Sequence, residues 1–191
     1  MAVALFTSEQ YIKDNSIINE NVDNKYITNT ITLCQKLYLK NLLGTALYNE
    51  IAGEINAGSV STDNQTLLDD YLQDVLLYRV LQEGIMYFTY KIENKSVVRK
   101  NSDNSTPIDQ DDVFMLKDDF KDKAELFEDR ARKYLLENAT ATKYANYLDP
   151  GDGVDVIHPI RNTFTTGWVL DDAPKIKYDT NFPVAPSKYD C

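Results

Sequence analysis

Histidine, cysteine and tryptophan are nearly missing from this chain: one His, two Cys and one Trp in 191 residues. A single histidine, His158 ahead of Pro159, offers no partner for general acid–base chemistry and reads as a surface residue. No Cys/His pair has metal-ligand spacing, so the sequence predicts no metal and no cofactor. Cys34 lies in an apolar stripe and Cys191 is the last residue, which excludes a disulfide framework and fits a reducing compartment. Clustered positive charge is scarce too. With a formal net charge of −10, a generic phosphate-binding surface is not expected. No apolar run approaches the roughly 20 residues of a membrane span, and MAVALF lacks the basic start and long apolar core of a signal peptide. Without such a signal, the Asn-x-Ser/Thr sequons at Asn64 and Asn138 are by-products of an Asn-rich composition.

What is present is an ordinary globular balance, with 43% apolar and 26% charged residues, enough for one domain with an appendage. Thirteen tyrosines are a surplus that suits either interfaces or a helical core. The spacing of apolar residues predicts a mainly α fold: a bundle of about five helices, a short β/loop excursion near 97–107, and an extended C-terminal arm. Ser8 caps a first short helix to about Asn15, and Asn15–Asn24 reads as a polar loop. Asp23 caps a second helix with Ile27, Ile31, Cys34 and Tyr38 on one face, ended by Gly44. Thr45 is positioned to cap a third, carrying Leu47, Ile51 and Ile55 to Gly58. After the loop Ser59–Asp63, a long helix from about Asn64 to Glu93 is apolar around much of its circumference. It must be covered on several sides, by its own bundle or by another subunit.

Val97-Val98 breaks the helical pattern, and the Asn101–Pro107 loop follows, dense in turn formers. Asp109 caps the next helix, whose stripe is Val113, Leu116, Phe120, Ala124, Phe127, Ala131 and Tyr134. Its outer face offers Asp119/Lys123, Glu128/Arg132 and Asp129/Lys133 at i,i+4. A last short helical piece spans about Ala141–Tyr147. The expected domain boundary is at Pro150: residues 1–149 form the helical unit and 150–191 the Pro-rich arm, with FTTGWVL at 164–170 as a possible strand. An arm with aromatics but little capacity for its own core lies on something else. Val97, Val98, Pro107, Phe164, Trp168, Tyr178 and Phe182 are therefore the candidate interface residues. Lys91, Lys95, Arg99 and Lys100 form the one concentration of positive charge, read as either a helix-end charge pattern or an electrostatic contact with an acidic subunit or DNA. The Asp149–Asp155 run lacks EF-hand spacing and reads as a turn. Acidic pairs such as Asp69-Asp70, Asp111-Asp112 and Asp118-Asp119 sit near helix starts or on polar faces. No catalytic residues are predicted.

Certain residues resemble a known family in their order and spacing. They are Phe6-Thr7, Ile31, Gln35, Tyr38-Leu39, Leu42-Leu43-Gly44, Leu47-Tyr48, Val97-Val98, Asn101–Pro107 and Tyr134-Leu135, together spanning about 5–148. The chain resembles the helical head–tail connector or adaptor (neck ring) proteins of tailed bacteriophages, above all the ring proteins of crAss-like phages of Bacteroidales. The resemblance implies a non-enzymatic virion protein at the portal–tail junction, assembled in the host cytoplasm. It implies a ring of itself, typically twelve copies, docked to the phage portal protein and to tail or other neck proteins. DNA would pass through the lumen without sequence-specific binding, and no membrane would be involved. The competing readings are an acidic DNA-mimic inhibitor of a host DNA-binding enzyme and, last, an enzyme with an unrecognised carboxylate site.

Overall fold

A computed structural model describes residues 4–18, 21–92, 97–99 and 109–161. Helix α1 (Glu9–Asp14) starts where the Ser8 side chain accepts from the Tyr11 amide, and α2 (Asn24–Cys34) where Asp23 accepts from that of Lys25. From α2 the chain runs without a break through a π-helical turn (Gln35–Leu39) into α3 (Lys40–Leu43). The apolar spacing explains the wide turn. Ile27, Ile31 and Cys34 follow α-helical steps, but the next fully buried apolar residue is Leu39, five positions on. One i→i−5 bond, Lys40 N–H to the Gln35 carbonyl, keeps Leu39, Leu42 and Leu43 on the buried side and leaves Tyr38 half-buried.

Gly44 forms the elbow between α3 and α4 (Thr45–Ala57), with φ +79°. A side chain is excluded there twice over, because a Cβ would also lie 2.8 Å from Cδ of Pro159. The cap differs from the sequence expectation: Gly44 itself is the N-cap residue and Thr45 makes no capping bond. Its hydroxyl is used instead on a distant strap, described below. Gly58, left-handed at φ +69°, ends α4.

The long central helix is again composite. It runs from α5 (Thr62–Leu67), capped by Ser61, through a π-helical turn (Leu68–Leu72) into α6 (Gln73–Thr89). It begins two residues before the expected Asn64 and ends before Glu93, because Tyr90 turns to extended backbone and opens a hairpin. That hairpin pairs β1 (Tyr90–Ile92) with β2 (Val97–Arg99), antiparallel, in the register Tyr90–Arg99, Lys91–Val98 and Ile92–Val97. Helix α7 (Gln110–Asn138), capped by Asp109, returns antiparallel along α6. Its predicted stripe faces inward, with Val113, Phe120, Ala124 and Ala131 buried and Leu116, Phe127 and Tyr134 partly so. The last helix, α8 (Ala145–Leu148), is shorter than expected because Tyr144 takes a left-handed conformation, φ +54°.

The core is one continuous apolar cluster drawn from α1 through α8, with Ile12, Ile27, Ile31, Leu47, Leu72, Leu76 and Leu135 fully enclosed. The tyrosines divide in favour of the core: Tyr144 and Tyr147 lie within it, and Tyr11, Tyr38, Tyr48, Tyr71, Tyr78 and Tyr134 pack against it. The expected boundary at Pro150 comes before a segment that is still part of the bundle. Pro150 and Pro159 are buried, and residues 156–161 cross the Gly44 elbow as a strap. Among the described residues, no helix is long and apolar enough to cross a membrane.

Candidate functional site

Three arrangements place polar or aromatic side chains together. The first is a buried polar lock across α6 and α7. Arg79, only 5% exposed, sits in the apolar run of α6. Its guanidinium donates to both carboxylate oxygens of Glu128 on α7, Nε to Oε1 at 2.6 Å and Nη2 to Oε2 at 2.8 Å. Nη1 donates to Gln82 Oε1 at 2.6 Å, and the plane lies 4.2 Å from the centre of the Tyr38 ring. Tyr38 closes the circuit by donating to Glu83 Oε1 at 2.6 Å, which also accepts from Gln82 Nε2 at 3.2 Å. A fork-to-fork pair of this kind satisfies an arginine that α6 could not otherwise bury.

The electrostatics follow from that enclosure. Burial opposes the charge on Arg79, yet its bond to Glu128 and that carboxylate's charge hold its pKa above the ordinary arginine value. Burial raises Tyr38 well above the usual tyrosine range, and its bond to Glu83 raises it further. Cys34, buried beside the same groups, has its thiol pushed up to about 12, chiefly by burial. A thiol so placed is not a nucleophile at neutral pH. The lock is therefore a positioning device, tying the π-helical turn after α2 to α6 and α7.

The second arrangement is a tyrosine cluster at the far end of α7. Tyr71 and Tyr134 stack with centroids 4.1 Å apart, and Tyr144 meets Tyr134 edge-on at 6.1 Å. The Tyr144 hydroxyl donates to the Asp63 carbonyl at 2.7 Å, while Lys143 reaches the Asp63 carboxylate at 3.1 Å. Burial, then the bond to Tyr134, raises the Tyr144 pKa strongly. Beside the stacked rings lies an open groove of about 560 Å³, lined by Tyr71, Leu126, Phe127 and Tyr134. Arg130 and Lys133 are offset there by Asp129 and Glu137, so the groove has no net sign and no preference for an anion.

The third is the strap. The Thr45 amide donates to the Ile157 carbonyl at 2.9 Å, and the Ile157 amide donates back to Thr45 Oγ1 at 2.8 Å. The Ile160 amide donates to the Asn41 carbonyl at 3.0 Å, and Arg132 Nε to the Ile160 carbonyl at 2.9 Å. Arg161 donates to the carbonyls of Tyr147 and Leu148, at 2.6 and 2.9 Å. At the opposite terminus Gln35 performs a similar task. Its amide donates to the Ala4 carbonyl at 2.8 Å and its oxygen accepts from the Phe6 amide at 3.2 Å.

Of the residues singled out by sequence, Lys91, Val97, Val98 and Arg99 fall in the hairpin, with Lys91 opposite Val98. Lys95, Lys100, Pro107, Phe164, Trp168, Tyr178 and Phe182 lie outside the described residues, as does the 164–170 segment. Two expected ion pairs are replaced. Glu128 turns inward to Arg79, and Arg132 pairs with Asp129 rather than Glu128; Asp119–Lys123 forms as expected. The reason is competition: a buried guanidinium must take the nearest carboxylate, whereas a surface pair is optional. His158 is exposed. In the Asp149–Asp155 turn, Asp149 Oδ1 accepts from the Gly151 amide. Asn64 is buried between α4 and α5, donating to Glu50 and Glu54, which leaves no room for a glycan. Among the described residues, no group of three or more His, Cys, Asp or Glu side chains is placed to hold a metal ion.

No curated protein and no solved structure matches the chain. A family model does, over residues 39–156, from the end of the first π-helical turn to the start of the strap. That is well over half of the sequence, and the chain belongs to this family, DUF6712, a family of unknown function.

Proposed function

We propose that the chain is a structural subunit of a phage virion, building a ring that joins the portal to the tail and surrounds the passing DNA. The observation that carries the proposal is the hairpin. Two three-residue strands pair only with each other among the described residues, leaving both outer edges open. A lone two-stranded ribbon is marginal in water and offers its edges to a third strand. It also grows from the end of α6, a helix fixed at Arg79, so a contact made at the hairpin is referred to a rigid body. Rigid bundle, open edge and strapped arm root together suit a part that is completed by its neighbours. The net charge of −10 suits a lumen along which a polyanion moves without adhering.

Interleaved charge favours the ring over DNA mimicry. On α7, Asp119 pairs with Lys123, Lys121 with Glu125 and Asp129 with Arg132, so its acids do not form a continuous phosphate-like row. No enzymatic role is part of the proposal, and neither is a cofactor. Co-expression with the portal protein of its phage, followed by native mass spectrometry and particle imaging, tests it. A stoichiometric closed ring is expected. A chain that ignores portal and neck proteins but binds a DNA-processing enzyme would sink the connector in favour of the mimic.

A further inference from the structure

We propose that an apolar groove at the hairpin end of the bundle receives Trp168 of a neighbouring copy, so that the C-terminal arm of each subunit clasps the next. This rests on the ring reading above and names the contact that would hold the ring together. The groove has a volume of about 210 Å³ and lies between the α1–α2 turn, the end of α6 and the start of α7. Ile17, Ile18, Ile85, Phe88, Leu116 and Phe120 line it, and its remaining lining residues are apolar as well. Ile17, 74% exposed, forms an open rim while Ile18, Ile85 and Phe120 make a buried floor.

A lining without a single polar residue offers nothing to a phosphate, a nucleotide or an acidic peptide, each of which would lose hydration there without compensation. An apolar side chain is the fitting occupant, and an aromatic one gains most from a pocket walled by two phenylalanines. The chain itself supplies one. The 30 residues after Arg161 hold its only tryptophan, Trp168, together with Phe164, Tyr178 and Phe182. Their starting point is fixed, because Arg161 is held on the Tyr147 and Leu148 carbonyls. Trp168 lies seven residues beyond Arg161, a span of up to about 25 Å when extended. From Arg132, which holds Ile160, to Phe120 in the groove is only about 18 Å along α7 at a rise of about 1.5 Å per residue.

That reach serves a groove on its own copy or on one packed against it, and the ring selects the neighbour. A subunit that offers a groove at one place and an arm at another makes a heterologous contact, the kind that closes into a ring when repeated about an axis. Ile17, Ile18, Val22 and Trp168 lie outside the family match at 39–156, while Leu81, Ile85, Phe88, Leu116 and Phe120 of the groove lie within it.

The test uses the full chain with a benzophenone amino acid at position 168. Copies grown in light and heavy nitrogen are mixed in equal amounts, assembled on the portal and irradiated. Cross-links from position 168 to residues 17–22 or 116–120 are expected, half of them joining a light to a heavy chain. Cross-links confined to single chains, placed elsewhere, or missing overturn the proposal. Two variants make the same point without chemistry: Trp168→Ala and the rim variant Ile17→Glu should each lower ring yield at least tenfold with an unchanged melting temperature. If the natural chain forms rings and both variants do too, the arm contact is wrong and the ring stands. If the natural chain forms no ring on portal or neck proteins, both fall.

Discussion

Helix α7 carries the same chemistry in two settings nine residues apart. Asp119 meets Lys123 across one turn in open water, with each side chain about half exposed. Glu128 meets Arg79 of another helix, with the pair's side chains 15% and 6% exposed. Both contacts measure 2.6 Å. Distance therefore says nothing of their worth. In water the two charges of the outer pair are screened and each is solvated without the other. Inside, removing either charge strands its partner away from water, so the inner pair specifies how α6 and α7 sit while the outer pair decorates a surface.

The largest effect should come from breaking the inner pair. Arg79→Ala is expected to destabilise the fold by about 3–5 kcal/mol, read from urea unfolding at pH 7. Replacing Arg79 by methionine together with Glu128 by leucine should recover most of that loss, since an apolar pair of similar size removes the stranded charge. If the single variant loses under 1 kcal/mol, the lock is not holding the helices. Next comes Gly44→Ala, which must bear both a left-handed φ and a collision with Pro159. A loss of about 1–3 kcal/mol is expected, together with faster hydrogen exchange at the Ile157 and Ile160 amides.

Gln35→Leu keeps the volume but leaves the Phe6 amide and Ala4 carbonyl unpaired in the interior, at a cost of about 1–3 kcal/mol. Its signature should be loss of exchange protection at Phe6 ahead of the rest of the bundle.

Alkaline pH sharpens the contrast from another side. Tyr38 and Tyr144 have folded pKa values raised above the ordinary tyrosine value near 10. Their contribution to stability is therefore complete below about pH 10 and is lost as pH rises toward the folded values. Ultraviolet titration should show both ionising only as the protein unfolds, and Tyr38→Phe should move the alkaline unfolding midpoint upward. The smallest effect belongs to the outer face: Lys121→Ala, which breaks its pair with Glu125, should leave the denaturation midpoint unchanged within error.

What was legible in the sequence is what short-range chemistry decides. Ser8, Asp23 and Asp109 cap helices as their side chains suggest, Gly44 and Gly58 stop them, and the α7 stripe faces inward as its spacing requires. The π-helical turns were not legible, because an extra residue between Cys34 and Leu39 looks like noise in a stripe until neighbouring helices demand a particular face. The lock was hidden for a related reason. Glu128 has Arg132 four residues away, and spacing alone prefers that partner to Arg79, 49 residues distant. One signal was available: the apolar run Val75–Phe88 carries only two charges, Arg79 and Glu83, and a charge in a helix covered on several sides needs a partner.

The strap across the Gly44 elbow has a mechanical consequence. Its bonds run to Asn41 and Thr45 at the elbow, to Arg132 on α7 and to the carbonyls that end α8. A pull on the chain beyond Arg161 meets first Arg161 on the α8 carbonyls, then Ile160 between Asn41 and Arg132, then Ile157 on Thr45, so anchorages on several helices stand in series. Tension entering at the C-terminal side is thereby delivered to the Gly44 elbow and α7, in the middle of the bundle, and not to a free end.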